Sequence, residues 1–327
     1  MKIFLPFAIT DIGGTATFAK KFSDAMREKG FPITSNPREN FDVLLILGDC
    51  PLWYPIKAKI FGRKVVQRLD GVYHPATPAG KLYPLYNLKM KIIHNILADA
   101  VIYQSQFSKD SCEKFLGETA AKQTAIIYNG VEVEKIPKKD SSLPNRKPIK
   151  LLTFAKFRRR DQIEPLIESA KLLDPKQYTF EIFGSYTGDL KYLFENLPSN
   201  IVFRGKKQHY DLLQILHQYD IFLFSDQSAC PNSVLEAMAA GLPIVAFNRG
   251  SVPELIKPNY NGEVVPIKEN TDPYKENYPF KKKHYSNFSN AIESLSNHII
   301  DYSNNALADS RERFSHVNMI ERYYEIL

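Results

Sequence analysis

The chain alternates short apolar runs with longer stretches in which apolar residues return at helical spacing. Runs at 3–7, 41–47, 64–71, 98–104 and 125–131, then at 150–154, 178–183, 200–205, 221–224 and 243–247, have the length and continuity of strands buried on both faces. Between them, 16–29, 105–116, 163–173 and 209–218 read as helices, the first closed by Gly30. Strands and helices in alternation predict mostly parallel sheets covered by helices, an α/β architecture. Residues 134–147 are rich in Pro, Lys and Ser and read as a linker. The pattern therefore predicts a first domain over 1–135, a second over 148–309, and a last helix over 310–327.

Signals for chemistry are densest over 221–256. Ile221-Phe222-Leu223-Phe224 leads to Asn232-Ser233, which offers cap chemistry to a helix that starts at Val234 and stops at Gly241. A second strand follows, then Ser251-Val252-Pro253-Glu254 with the Ser-x-x-Glu capping pattern. In such units helix N-termini and strand C-termini share one edge, where backbone N–H groups attract phosphates. Glu236 sits early in an otherwise apolar helix. It either complements the helix dipole or accepts hydrogen bonds from ribose hydroxyls.

Three other places carry candidate chemistry. Lys156 and Arg158-Arg159-Arg160 lie where the strand at 150–154 gives way to a helix, a setting in which side-chain charge and helix dipole both favour phosphate. Gly13-Gly14 follows the first strand and permits close backbone approach to a ligand, although the full dinucleotide fingerprint is lacking. Asp70-Gly71 ends the strand at 64–71. Asp70 there either caps the next turn or, facing a ligand, orients a hydroxyl or acts as a base, with His74 the alternative candidate. His209 and His217 read as surface histidines.

Composition narrows the class. Hydrophobic content of 44% and charged content of 24% describe a globular protein. No apolar run approaches the roughly 18 residues of a membrane span, and the N-terminus reads as a strand rather than a signal peptide. Cys50, Cys112 and Cys230 make neither a disulfide framework nor a zinc motif, which points to a reducing cytoplasm. Net charge is +7 and the pI near 9. No nucleic-acid motif accompanies it, so a phosphorylated ligand or an anionic membrane surface accounts for it better. Residues 81–97 mix Tyr, Leu, Met and Ile with Lys81, Lys89 and Lys91, as a surface helix or a peripheral contact on the inner membrane face would. The polar run at 268–287, with Lys281-Lys282-Lys283-His284, reads as a solvated loop, with contact to an anionic membrane as the alternative.

Cys230-Pro231-Asn232-Ser233-Val234-Leu235-Glu236-Ala237 resembles the donor-site signature of the retaining glycosyltransferases of family 4, and Tyr128-Asn129-Gly130-Val131 resembles the end of that family's first domain. The resemblance implies the GT-B fold, two Rossmann-like domains facing a central cleft, with the last helix packing back on the first. The second domain would bind a nucleotide diphosphate sugar, UDP- or GDP-linked, for transfer to a glycan or glycolipid acceptor, with no metal and no cofactor. The family's pattern is Glu, seven residues, Glu. The second falls on Glu236, implying ribose binding, and the first on Ser228, a departure. The family's diphosphate clamp is an Arg and, five residues on, a Lys. Here Lys156 takes the Arg position and Asp161 the Lys position, so Arg160 or Arg159 would substitute. Gly13, Gly14, Gly205, Lys206, Asn232, Ser233 and Val234 complete the implied donor site, and Asp70 falls where many members carry His. The departures at Ser228 and Asp161 motivate a nucleotide-sugar-binding pseudoenzyme as the alternative. A sugar-nucleotide epimerase of the same fold is another.

Overall fold

The computed structural model describes residues 1–7, 14–75, 77, 79–139, 147–267, 274 and 278–327. The chain divides into two compact units, Met1–Gly130 with His316–Leu327, and Val131–Ser315. Each is built on a six-stranded, wholly parallel sheet.

In the first unit the elements run β1 (Ile3–Phe4), α1 (Gly14–Glu28), β2 (Ile33–Thr34), β3 (Val43–Leu47), α2 (Trp53–Ile60), β4 (Lys64–Leu69), α3 (Tyr83–Ile92), β5 (Ala100–Tyr103), α4 (Gln106–Leu116) and β6 (Gln123–Ile126). Strand order is β2-β1-β3-β4-β5-β6. Helices cover both faces, so β3 and β5 are apolar throughout and buried throughout. On one face Phe18, Phe22 and Met26 of α1 pack with Met319, Ile320 and Tyr323 of the C-terminal segment. On the other, Ala58, Met90, Cys112 and Leu116 close over Leu44, Ile46 and Val65. β1 was expected to reach Phe7 but ends at Phe4, and β6 starts at Gln123 rather than 125.

The second unit contains β7 (Ile149–Phe157), α5 (Glu164–Ala170), β8 (Tyr178–Tyr186), β9 (Ile201–Gly205), α6 (His209–Leu213), β10 (Ile221–Phe224), α7 (Asn232–Ala239), β11 (Ile244–Phe247), α8 (Val252–Leu255), β12 (Gly262–Val265), α9 (Lys282–Ser296) and α10 (Ile299–Arg313). Strand order is β12-β11-β10-β7-β8-β9. The chain enters at β7, builds outward through β8 and β9, then crosses to the other side for β10, β11 and β12. The order therefore reverses between β7 and β10, and loops leaving their C-terminal ends diverge there.

Two expectations change. The final run at 310–327 is not one helix: α10 ends at Arg313 in the second unit, and α11 (His316–Ile326) belongs to the first. Between them Ser315 pairs with Val131, and Val131 N–H donates to Phe314 O at 2.8 Å. Gly130 is obligatory beside this crossing, because a Cβ there would meet His316 Cα at 2.7 Å. The polar run at 268–287 is helical from Lys282, whereas 268–273 and 275–277 lie outside the described residues. The linker at 134–147 is outside them over 140–146. No helix among the described residues is long and apolar enough to cross a membrane.

Candidate active site

The reversal between β7 and β10 is organised by a buried ion-pair network. Asp161 follows β7 and is only 3% exposed. Its carboxylate accepts from Arg159 Nε at 3.0 Å and from the buried Arg249 at 2.7 Å. Arg159 continues to Asp226, after β10, at 2.8 Å. Burial opposes the Arg159 charge, but Asp226 and Asp161 more than offset it, and its pKa rises. Arg249, after β11, also donates to Ser225 O at 3.0 Å, and Ser225 Oγ donates to the carbonyls of Asp161 and Gln162. Three loops that leave adjacent strands are thereby fixed to each other.

Arg160 stands outside this network. Its guanidinium forms a fork with Glu164, Nε to Oε2 at 2.7 Å, on the exposed side of the turn. That hydrogen bond is the main reason its pKa is raised. Arg159 is the member of the triplet that enters the crevice, and its charge is taken up by two carboxylates. Lys156 is exposed at the end of β7, opposite Ser185 of β8, and among the described residues neither it nor the Arg158 side chain has an ion-pair partner. Both leave positive charge free at this edge, as do Lys206 and Lys207 after β9.

The loop from β10 to α7 supplies the facing wall. Its backbone is clamped at Ser228, whose carbonyl accepts from Ser251 N–H at 3.0 Å. Gly250 (φ 56°) makes the approach possible, since a Cβ there would lie 2.6 Å from Ser228 O and 2.7 Å from Ser228 N. Asn232 and Ser233 do not cap α7 as expected. Pro231 holds the cap position with no side-chain acceptor, so Asn232 and Ser233 are the first helical residues. Val234 N–H is already given to Pro231 O at 3.1 Å, and its side chain is buried. The expected capping box at Ser251 is also absent: Glu254 N–H goes to Ser251 O, and Ser251 Oγ makes no capping bond.

Glu236 is buried in α7, and its Oε1 meets His209 Nε2 at 2.9 Å. Read from sequence as a surface residue, His209 is half-exposed yet reaches the candidate ribose carboxylate. It opens α6, so the segment from Gly205 through Lys206 to His209 leads from edge strand β9 to α7. Gly205 ends β9 with φ 73°, and Lys206 beside it is exposed. Ser228, Asn232, Ser233, Val234 and Glu236 are thus gathered on one loop and helix, with Lys156 at the end of the next strand. Arg249, Asp226 and His209 are the participants that sequence reasoning missed.

In the first unit, Asp70 is exposed after β4 and accepts from Thr15 Oγ1 at 3.2 Å. Thr15 is the second residue of α1, so this bond ties the start of α1 to the turn after β4. Gly13 lies outside the described residues. His74 stacks on Phe115 at 5.8 Å instead. Burial pushes the Cys50 thiol up to about 12 and also raises that of Cys112, so neither is a thiolate at neutral pH. Among the described residues no group of three His, Cys, Asp or Glu side chains is placed to hold a metal ion.

Residues 148–276 match the family described as glycosyl transferases group 1. The chain is 26% identical over 159 residues to the amylovoran biosynthesis glycosyltransferase AmsK of Erwinia amylovora, covering 45% of this chain and 39% of that protein. It is 28% identical over 189 residues to the sulfoquinovosyl transferase SQD2 of Arabidopsis thaliana, covering 55% and 36%. The chain thus spans well under two thirds of these curated relatives. Among solved structures, Anabaena Alr3699/HepE in complex with UDP superposes with a TM-score of 0.75 at 17% identity, over 99% of this chain and 98% of that one. Sucrose-phosphate synthase from Thermosynechococcus elongatus gives 0.75 at 15% identity over the same shares. The fold is GT-B.

Proposed function

We propose that the protein is a retaining glycosyltransferase of family 4, moving a sugar from a UDP- or GDP-sugar to a glycan or glycolipid acceptor. The observation that carries this is the second unit's reversal point, where a helix without a side-chain cap, a buried carboxylate and an unpaired cationic edge converge. The N–H groups of Asn232 and Ser233 would receive the diphosphate, with Lys156 as its counter-charge. As the glycosidic bond lengthens toward an oxocarbenium-like transition state, charge builds on that diphosphate, and fixed donors stabilise it there. Glu236, oriented by His209, would accept from the ribose hydroxyls. Asp70 and the Gly13-Gly14 loop would serve the reacting face. No metal or cofactor has a role in this reading. The same reading places the protein in the cytoplasm, peripheral to the inner face of an anionic membrane, with no nucleic-acid partner.

Relatives named for polysaccharide biosynthesis and a neighbour bound to UDP support this assignment. One observation favours the nucleotide-sugar-binding pseudoenzyme as a second reading: Asp161, at the position of the family's clamping Lys, is consumed by Arg159 and Arg249. A thermal-shift panel of UDP, GDP and ADP with their sugar conjugates tests both. Ligand at about 100 times its Kd should stabilise the fold by roughly 2.7 kcal/mol. Binding of one base with slow release of free sugar supports transfer, binding with no turnover supports the second reading, and no shift with any nucleotide contradicts both.

A further inference from the structure

The large apolar side chains left in solvent concentrate on two helices of the first unit. In α2, Trp53, Ile56 and Ile60 point outward, opposite Pro55 and Ala58, which are buried. Ile60 is 75% exposed, and Phe61 extends the stripe. In α3 and the turn before it, Leu82, Leu85 and Leu88 face outward, opposite the buried Asn87 and Met90, with Leu85 67% exposed. Ile96 prolongs that stripe through the turn at 93–97, which touches α2. Both helices pack on the same face of the sheet through Ala58 and Met90. A helix that buries one face and exposes apolar residues on the other lacks a partner for its second face.

Charge identifies the partner. Neither α2 nor α3 contains Asp or Glu, while Lys57, Lys59, Lys89 and Lys91 lie on them and Lys81 beside them. Residues 51–97 hold eight Lys and Arg against one acid, Asp70, a surplus equal to the net charge of the whole chain, +7. Lys59 and Lys89 pair with Asp99 and Asp49, which lie outside the two helices. A second copy of this face would set lysine against lysine. Phosphate headgroups meet those lysines favourably, and Trp and Tyr rings belong at the depth where headgroup gives way to acyl chain.

We propose that the outward faces of α2 and α3 dock on an anionic lipid bilayer, the apolar stripes entering the headgroup–acyl boundary and the lysines reaching back to the phosphates. The full chain is tested by flotation with phosphatidylglycerol–phosphatidylcholine vesicles and with phosphatidylcholine alone. Trp53 is the chain's one tryptophan, so its emission reports on this face alone. The expected result is flotation with the anionic vesicles, weakened by salt, together with a blue shift of Trp53. The double variant Ile60→Glu/Leu85→Glu should lose binding by at least about tenfold, since each carboxylate placed at an anionic surface weakens it several-fold, with an unchanged circular-dichroism melt. The proposal is overturned if the parent chain does not float, if the variant floats equally, or if the parent is a dimer that the variant dissociates. The proposal rests on the membrane-peripheral part of the reading above; vesicle binding involves no nucleotide, so a failure here removes that part and leaves the donor-site part standing.

Discussion

A buried ionisable side chain must either find partners or change its charge, and three residues of this chain do so in different ways. Asp161 finds partners in Arg249 and Arg159. Arg249→Met would leave that carboxylate half-answered, and breaking such a buried pair costs about 3–5 kcal/mol. Urea unfolding should show the loss as a lower midpoint. His94 takes the opposite course: burial holds its pKa below the ordinary 6.5, and its Nε2 sits 2.8 Å from the Tyr103 hydroxyl. Between the folded and unfolded pKa the unfolded chain binds more protons, so this stability is complete above about pH 6.5 and is lost as pH falls below it. His94→Gln should therefore lose less stability than the parent between pH 7.5 and 5.5. Equal slopes in the two unfolding series would refute the assignment. Glu236 stays buried beside a half-exposed imidazole, 27 positions away in sequence. Pairings of this kind were not legible: Arg249 and Asp161 are 88 positions apart, and nothing local in either neighbourhood names the other.

At the scale of elements, what could be read depended on burial. β10 is Ile221–Phe224, as expected, because a strand covered on both faces must be apolar without interruption. α2 escaped notice because its outward face is as apolar as its inward one, with Pro55 within it, and so carries no helical periodicity. β12 is a short edge strand, Gly262–Val265, with too few residues to show a pattern, and α9 opens on lysines that mask the helical spacing of its core residues Phe288, Ile292 and Leu295. The cap of α7 was misread for a local reason: Asn232 and Ser233 have cap chemistry, but Pro231 before them takes the position. Gly250 tests how the loops are held. Alanine there needs a φ of 56° and a Cβ 2.6 Å from the Ser228 carbonyl. Gly250→Ala should cost roughly 1–3 kcal/mol and weaken nucleotide binding by displacing the Ser228 loop. A variant with parental affinity and melting temperature would show that this contact is dispensable.

For the whole molecule, the alternation of strands and helices made the α/β class legible, and the donor-site stretch supplied the expectation of GT-B, a fold that the solved structures share. The family match covers residues 148–276, within the second unit, and the AmsK relative matches 45% of the chain. The proposed function therefore rests on the second unit, and Glu236 is its centre. The most direct measurement is isothermal titration of UDP and GDP into the parent chain and into Glu236→Gln. Replacing the charged acceptor forfeits charge-assisted hydrogen bonds worth about 1.5–3 kcal/mol, so the nucleotide that binds the parent should bind the variant roughly 10- to 100-fold more weakly, with the melting temperature of the free protein little changed. Equal affinity in the two proteins, or no binding of either nucleotide to the parent, would contradict the account.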